Sequence, residues 1–124
     1  MRVLMVEDCK ILRRLMLRNL KLIGITDVVE AEDGEDGWKK FNEMKFDLVL
    51  TDWNMPGSCG IKLLESIRDS GSKVPVVMVT AEDNKKKLRT AAHAGISEYL
   101  CKPFTQEEFW QKIDKFSVAE GHFV

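Results

Sequence analysis

Residues 47–51 read Asp-Leu-Val-Leu-Thr, an apolar run of strand length that ends immediately before the acid Asp52. Two more runs of this kind are Val-Leu-Met-Val at residues 3–6 and Val-Pro-Val-Val-Met-Val at residues 74–79. Runs that are apolar on both faces are typical of strands in a parallel sheet that helices cover on each side. Weaker strand patterns occur at residues 28–31 and 98–101, so the sequence predicts five strands.

Helical patterns separate these strands, beginning with a helix that is predicted over residues 10–23 and ended by Gly24. The apolar stripe of this helix, which we expect to face the core, comprises Ile11, Leu12, Leu15, Met16, Leu20 and Ile23. Its outer side is expected to be basic and carries Arg13, Arg14, Arg18 and Lys21. Such a side is either a solvated surface or a docking surface for a partner protein.

The later helices are indicated by apolar residues at helical spacing: Trp38, Phe41 and Met44; Ile61, Leu64 and Ile67; Leu88, Ala91 and Ala92. Thr105 and Glu108 form a capping-box pattern that opens a last helix. Strands and helices thus alternate five times, which predicts an α/β fold, (βα)5, with a doubly wound parallel sheet and right-handed crossovers. We expect a single domain over residues 1–124.

Composition and charge exclude several classes of protein. Hydrophobic residues make up 44% of the 124 residues and charged residues 31%, which argues against a disordered or fibrous chain. Nineteen Lys and Arg against twenty Asp and Glu give a net charge of −1, so the general attraction to nucleic acid is missing. No apolar run is long enough to cross a bilayer and no signal-peptide pattern is present, which predicts a soluble, cytoplasmic protein.

The three cysteines are interpreted as incidental or buried thiols. They are Cys9, Cys59 and Cys101, widely spaced and without a CxxC pair, in a chain that has only two histidines. A disulfide framework and a zinc site are therefore not predicted.

Polar side chains follow four of the predicted strands, at the edge where open α/β sheets bind ligands. In chain order they are Glu7 and Asp8, then Asp52, Thr80 and Lys102. Each acid alone has a structural explanation, and Asp8 in particular is placed to cap the first helix. Clustered carboxylates repel one another, however, unless a cation binds them or their pKa values rise. Hard oxygen ligands favour Mg²⁺, for which the backbone carbonyl of Asn54 is a further candidate ligand.

Four separated motifs together resemble the receiver domains of two-component response regulators. They are Glu7-Asp8, Asp52-Trp53-Asn54-Met55-Pro56 with Gly60, Thr80-Ala81, and Lys102-Pro103-Phe104, and they span essentially the whole chain in the order of the family. Asp-Trp-Asn-Met-Pro, Thr-Ala-Glu and the presence of Tyr99 are especially similar to the stand-alone chemotaxis regulators of that family. The resemblance implies a flavodoxin-like strand order, 2-1-3-4-5.

The resemblance also implies a role for each residue of the site. It implies that Asp52 accepts a phosphoryl group from a histidine kinase, a phosphotransfer domain or a small phosphodonor. Mg²⁺ is implied to bind Glu7, Asp8, Asp52 and the Asn54 carbonyl, and to neutralise charge on the phosphoryl oxygens during transfer. Lys102 and Thr80 are implied to contact phosphoryl oxygens, and the Lys102–Pro103 peptide bond is implied to be cis.

Two further expectations concern the phosphorylated state. Thr80 is expected to move toward the phosphoryl group and Tyr99 to follow, which alters the surface offered to an output protein such as a flagellar motor switch protein. Asn54 and Glu82 are expected to position a water molecule that hydrolyses the acyl phosphate. We also expect the chain to be a monomer that binds neither nucleic acid nor membrane. It is expected to act as a signalling switch and not as a turnover enzyme.

Three other functions remain alternatives on the sequence alone. A metal-dependent nucleic-acid enzyme also places acids at strand ends, but Asn54 stands where such an enzyme needs a second acid. An FMN-binding protein needs hydroxyl and glycine donors after the first strand, where Glu7 and Asp8 would repel a phosphate. A receiver domain cut from a longer DNA-binding regulator has the same motifs.

Overall fold

The computed structural model describes residues 1–55, 58–81 and 85–118. Within these ranges five parallel strands form one sheet: β1 (Arg2–Val6), β2 (Asp27–Ala31), β3 (Leu48–Asp52), β4 (Val76–Thr80) and β5 (Glu98–Cys101). The helices between and after them are α1 (Lys10–Leu22), α2 (Gly34–Glu43), α3 (Gly60–Asp69), α4 (Lys85–Ala94) and α5 (Gln106–Val118). The strands lie in the order β2-β1-β3-β4-β5, so the predicted fold class and strand order are confirmed.

The core consists of two clusters of buried side chains, one on each face of the sheet. Alternate residues of β1 point to opposite faces, so that Val3 and Met5 pack with residues of α1 and α5. Leu4 and Val6 pack instead with residues of α3 and α4. Because both faces of the sheet are covered, the strands read as continuous apolar runs in the sequence.

Two site residues were predicted to follow their strands directly, but they lie inside the strands. Asp52 is the last residue of β3 and is paired with Val79, and Thr80 is the last residue of β4 and is paired with Cys101. Both observed strands therefore end one residue later than the apolar runs that predicted them. Pairing on the sheet fixes the backbone of both residues.

An additional hairpin follows β3 and was not predicted. Asn54–Met55 pairs antiparallel with Ser58–Cys59, and the backbone N–H of Gly60 then donates to the Trp53 carbonyl at 2.8 Å. The hairpin thus returns the chain to the end of β3, where α3 begins at Gly60.

The orientation predicted for α1 is wrong in part. Met16 is buried as expected, but Ile11 is 81% exposed and Leu15 is 45% exposed. Arg13, which was assigned to the outer side, is buried. With 3.6 residues per turn, Arg13 shares a face with Met16, three residues on, whereas Ile11 and Leu15 lie four residues apart on another face. The apolar residues of this helix therefore lie on two faces, one buried and one exposed.

Helix α5 begins at the predicted capping box. The backbone N–H of Glu108 donates to Thr105 Oγ1 at 3.1 Å, and the Thr105 N–H donates to Glu108 Oε1 at 3.2 Å. Trp110 Nε1 donates to the Asn19 carbonyl of α1 at 3.0 Å, which joins the two helices on this face of the sheet. In the described part of the chain, no helix has the length and apolar character that a membrane crossing requires.

Candidate functional site

The three acids predicted from the strand ends converge at the carboxyl edge of the sheet. Glu7, Asp8 and Asp52 each present one carboxylate oxygen, and these oxygens lie within 4.8 Å of one another. Glu7 and Asp52 are buried and Asp8 is exposed. The alternative that Asp8 merely caps α1 is not supported, because Cys9 is the residue at that position and makes no side-chain capping bond among the described residues.

Lys102, which follows the edge strand β5, supplies a positive charge to this acid cluster. Its Nζ lies 3.1 Å from Asp52 Oδ2 and 3.2 Å from Glu7 Oε1, and the side chain is 23% exposed. The backbone N–H of Lys102 donates to the Thr80 carbonyl at 2.7 Å, so β4 holds the lysine in place. The Lys102–Pro103 peptide bond is cis, as expected.

The pKa values of Glu7 and Lys102 are both raised, but for different reasons. Burial, together with the charge of Asp52 and a hydrogen bond with Asp8, raises the pKa of Glu7 to about 7, against the opposing effects of the Cys9 N–H and Lys102. Burial alone would lower the pKa of Lys102, but its hydrogen bonds and its attraction to Asp52 and Glu7 outweigh burial and raise that pKa. Lys102 therefore stays charged while Glu7 exchanges a proton near neutral pH.

The metal-free protein is expected to lose stability as the pH rises from about 4.5 to about 7. The pKa of Glu7 is about 7 in the folded chain and 4.5 when unperturbed, so the folded state binds more protons across this interval and the free energy of unfolding falls with pH. Denaturant titrations at several pH values test this, with Glu7→Gln as the variant in which the dependence disappears. An equal pH dependence in Glu7→Gln would assign it to another group.

Arg13 is a residue of this site that the sequence analysis missed. Its Nη1 donates to the Glu7 backbone carbonyl at 2.8 Å, and its Nε lies 3.3 Å from Glu30 Oε1 on β2. The spacing of Arg13 from Met16 and Leu20, three and seven residues on, was the available signal, because it places the arginine on the buried face. Charged residue types are mostly exposed, but here the guanidinium is buried and donates to a buried backbone carbonyl, with the exposed carboxylate of Glu30 as its charge partner.

The residues predicted to act as a switch lie on neighbouring strands. Thr80 is completely buried at the end of β4, and Tyr99 is half-buried on β5, opposite Met78. Lys112 of α5 lies with its Nζ 5.4 Å from the centroid of the Tyr99 ring, and it donates to Glu98 Oε1 at 3.1 Å. Tyr99 thus borders the surface between β5 and α5.

The residues predicted to position water are only partly covered by the structure. The backbone of Asn54 lies in the hairpin two residues beyond Asp52, whereas its side chain and the whole of Glu82 lie outside the described residues. All three cysteines are free, as expected, but Cys9 is exposed and is not a core thiol.

The acid cluster fits a magnesium ion. Mg²⁺ takes oxygen ligands at roughly 2.1 Å, so two of its ligands are separated by at most about 4.2 Å. The oxygens of Glu7, Asp8 and Asp52, within 4.8 Å of one another, need only small side-chain rotations to reach that separation. The exposure of Asp8 leaves one side of the cluster open to water and to a phosphoryl group.

Comparison with known proteins identifies the class to which this site belongs. The family model for the response regulator receiver domain matches residues 3–114, and the chain therefore belongs to that family. It is 41% identical to the chemotaxis protein CheY of Pseudomonas aeruginosa over 117 residues, which are 93% of this chain and 94% of that protein. It is 39% identical to CheY-3 of Vibrio cholerae over 93% of this chain and 90% of that one.

A solved structure is similar over the same extent. The chemotaxis protein CheY4 of Vibrio cholerae superposes with a TM-score of 0.86 at 26% identity, over 93% of this chain and 97% of that one.

Proposed function

We propose that this chain is a phosphorylation switch of a two-component pathway, a single receiver domain that accepts a phosphoryl group on Asp52 in an Mg²⁺-dependent reaction. The observation that carries the proposal is the pairing of the buried Asp52 carboxylate with Lys102 Nζ at 3.1 Å, beside two further acids. A carboxylate so placed is fixed in orientation and close to both a cation site and a fixed ammonium group.

In the proposed reaction a carboxylate oxygen of Asp52 attacks the phosphorus atom of the donor. The bond from phosphorus to the donor atom breaks, its electron pair leaves with the donor, and Asp52 becomes an acyl phosphate. Mg²⁺ would be held by Glu7, Asp8, Asp52 and the Asn54 carbonyl, and it would supply positive charge to the phosphoryl oxygens. Lys102 binds a phosphoryl oxygen as a point charge, and Thr80 donates its hydroxyl to another.

The proposed partners are a histidine kinase or phosphotransfer domain as donor and an output protein as receiver of the signal. Similarity to chemotaxis proteins supports a motility pathway, with a flagellar motor switch protein as the output, in the cytoplasm. Asp52 is both substrate and nucleophile, so the protein is a signalling module and not a turnover enzyme.

The experiment that tests the proposal is intact-mass measurement after incubation with acetyl phosphate and Mg²⁺. A gain of roughly 80 Da is expected, corresponding to one phosphoryl group, and a chelator should prevent it. A chain that gains no mass with Mg²⁺, or gains as much in the presence of chelator, would contradict the proposal.

Phosphorylation is expected to change the environment of Tyr99 through Thr80. The Thr80 hydroxyl moves toward the new acceptor oxygens, and Tyr99 on the adjacent strand follows as a population shift. The ring signals of Tyr99, followed by NMR with and without phosphodonor, should shift in the natural chain and stay in place in Thr80→Ala. Equal shifts in both proteins would show that Thr80 does not transmit the change.

The acyl phosphate is expected to be short-lived because Asn54 and Glu82 position a water molecule in line with the phosphorus atom. Replacing either residue by leucine should slow the loss of labelled phosphate at constant Mg²⁺. Decay at the natural rate in both variants would contradict a role of these side chains in hydrolysis.

A further inference from the structure

We infer that Arg13 is a positioning residue for the acid site, because it holds the turn that carries Glu7 and Asp8 and thereby sets the affinity of the site for Mg²⁺. This inference rests on the proposed function, since it concerns the same Mg²⁺ site. Its basis is a buried contact of Arg13 with the backbone, and no direct contact of Arg13 with the metal-binding oxygens is involved.

The backbone of Glu7 is held on both sides although β1 ends at Val6. Its N–H donates to the Ala31 carbonyl of β2 at 3.0 Å, and its carbonyl accepts from Arg13 Nη1 at 2.8 Å. Arg13 therefore supplies a bond to the strand-end carbonyl at the point where the chain leaves β1. The positions of the Glu7 and Asp8 side chains therefore depend on how this peptide is held.

Arg13 is itself anchored at several points. Its own N–H donates to the Cys9 carbonyl at 2.9 Å, which closes the first turn of α1, and its Nε lies 3.3 Å from Glu30 Oε1. The side chain is 11% exposed. Within the part of the chain that the structure describes, the Nε group makes no well-directed hydrogen bond, so Glu30 acts as a charge partner. A planar guanidinium with these anchors links α1, the end of β1 and β2.

The geometry and the charge of Arg13 have opposite effects on a bound cation. A positive charge near the site repels Mg²⁺, so its removal alone would tighten binding. Loss of the bond to Glu7 leaves the turn free, and groups that orient metal ligands typically change metal affinity 10- to 100-fold when removed. We expect the geometric effect to dominate, which makes the sign of the change diagnostic.

The test is an Mg²⁺ titration followed by the fluorescence of Trp53, which is buried beside Asp52. Arg13→Met is expected to raise the Kd for Mg²⁺ about tenfold, and Arg13→Lys, which keeps a charge and a donor, to recover part of the affinity. Arg14→Met is the matched control, because it removes the same charge from an exposed neighbour. Its Kd should stay unchanged or fall slightly.

Two further measurements separate positioning from folding. Phosphorylation by acetyl phosphate at saturating Mg²⁺ should return to the natural rate in Arg13→Met, and the free energy of unfolding is measured on the same samples. A Kd in Arg13→Met that is unchanged or tighter, with the natural chain binding Mg²⁺ normally, would overturn this inference alone. Failure of the natural chain to bind Mg²⁺ would overturn the proposed function and this inference with it.

Discussion

Asp52→Asn is expected to abolish phosphorylation of the protein by acetyl phosphate or by a kinase. The amide has nearly the shape of the carboxylate but lacks its nucleophilic oxygen, and it also removes the negative charge that Lys102 Nζ contacts at 3.1 Å. Removal of a nucleophile lowers the rate of its reaction by on the order of a thousandfold or more. Intact-mass measurement should show no gain of a phosphoryl group on this variant at times when the natural chain is fully modified.

The control for this prediction is Asp69→Asn, which removes an exposed acid at the end of α3. It should be phosphorylated like the natural chain, because Asp69 lies outside the acid cluster. Asp52→Asn should remain folded, since the substitution relieves repulsion between Asp52 and Glu7, which contributes to the raised pKa of Glu7. An equal mass gain in Asp52→Asn would show that another residue accepts the phosphoryl group.

Gly60→Ala is expected to damage both stability and phosphorylation, because the first residue of α3 packs against the backbone of Asp52. A Cβ atom at Gly60 would lie 2.1 Å from the Asp52 carbonyl oxygen and 3.1 Å from Met78 Sδ. The backbone at the end of β3 must shift to relieve this contact. Overpacking of this kind lowers the free energy of unfolding by about 1–3 kcal/mol or more, and misplacement of a reacting group by about 1 Å lowers rates roughly 100-fold.

Gly24→Ala separates damage at the site from a general loss of stability. Gly24 has φ +87°, and a Cβ atom there would meet no other atom within 4 Å. The strained backbone should lower the free energy of unfolding by about 1 kcal/mol, with no change in the phosphorylation rate of the folded protein. Denaturant titrations and acetyl phosphate kinetics measure both quantities. A natural phosphorylation rate in Gly60→Ala would show that Asp52 tolerates the shift.

Much of the fold follows from local patterns in the sequence. Apolar runs of strand length alternate with helical spacings, and this alternation alone predicts a doubly wound (βα)5 sheet. The capping box at Thr105 and Glu108 was likewise predictable, since its two bonds join residues three positions apart. The strand order was implied by resemblance to receiver domains and not by periodicity, because periodicity does not state which strands are neighbours.

The candidate site could be predicted as a set of residues but not as an arrangement. Acids and a lysine at strand ends meet at one edge of any parallel sheet, so their convergence follows from the fold class. The contact between Lys102 and Glu7 joins residues 95 positions apart, and no local pattern specifies its distance. The raised pKa of Glu7 depends in turn on burial, which is a property of the assembled site.

The sequence by itself determined the class of fold, the residue types at the strand ends and the chemistry open to them. The sequence places Arg13 on the same helix face as Met16, but only the tertiary structure decided that this face is buried, that Arg13 binds the Glu7 carbonyl and that Ile11 faces solvent. It also decided that Gly60 touches the backbone of Asp52. The physical reason is that a helical pattern specifies which residues share a face, whereas the face that is buried depends on what packs against it.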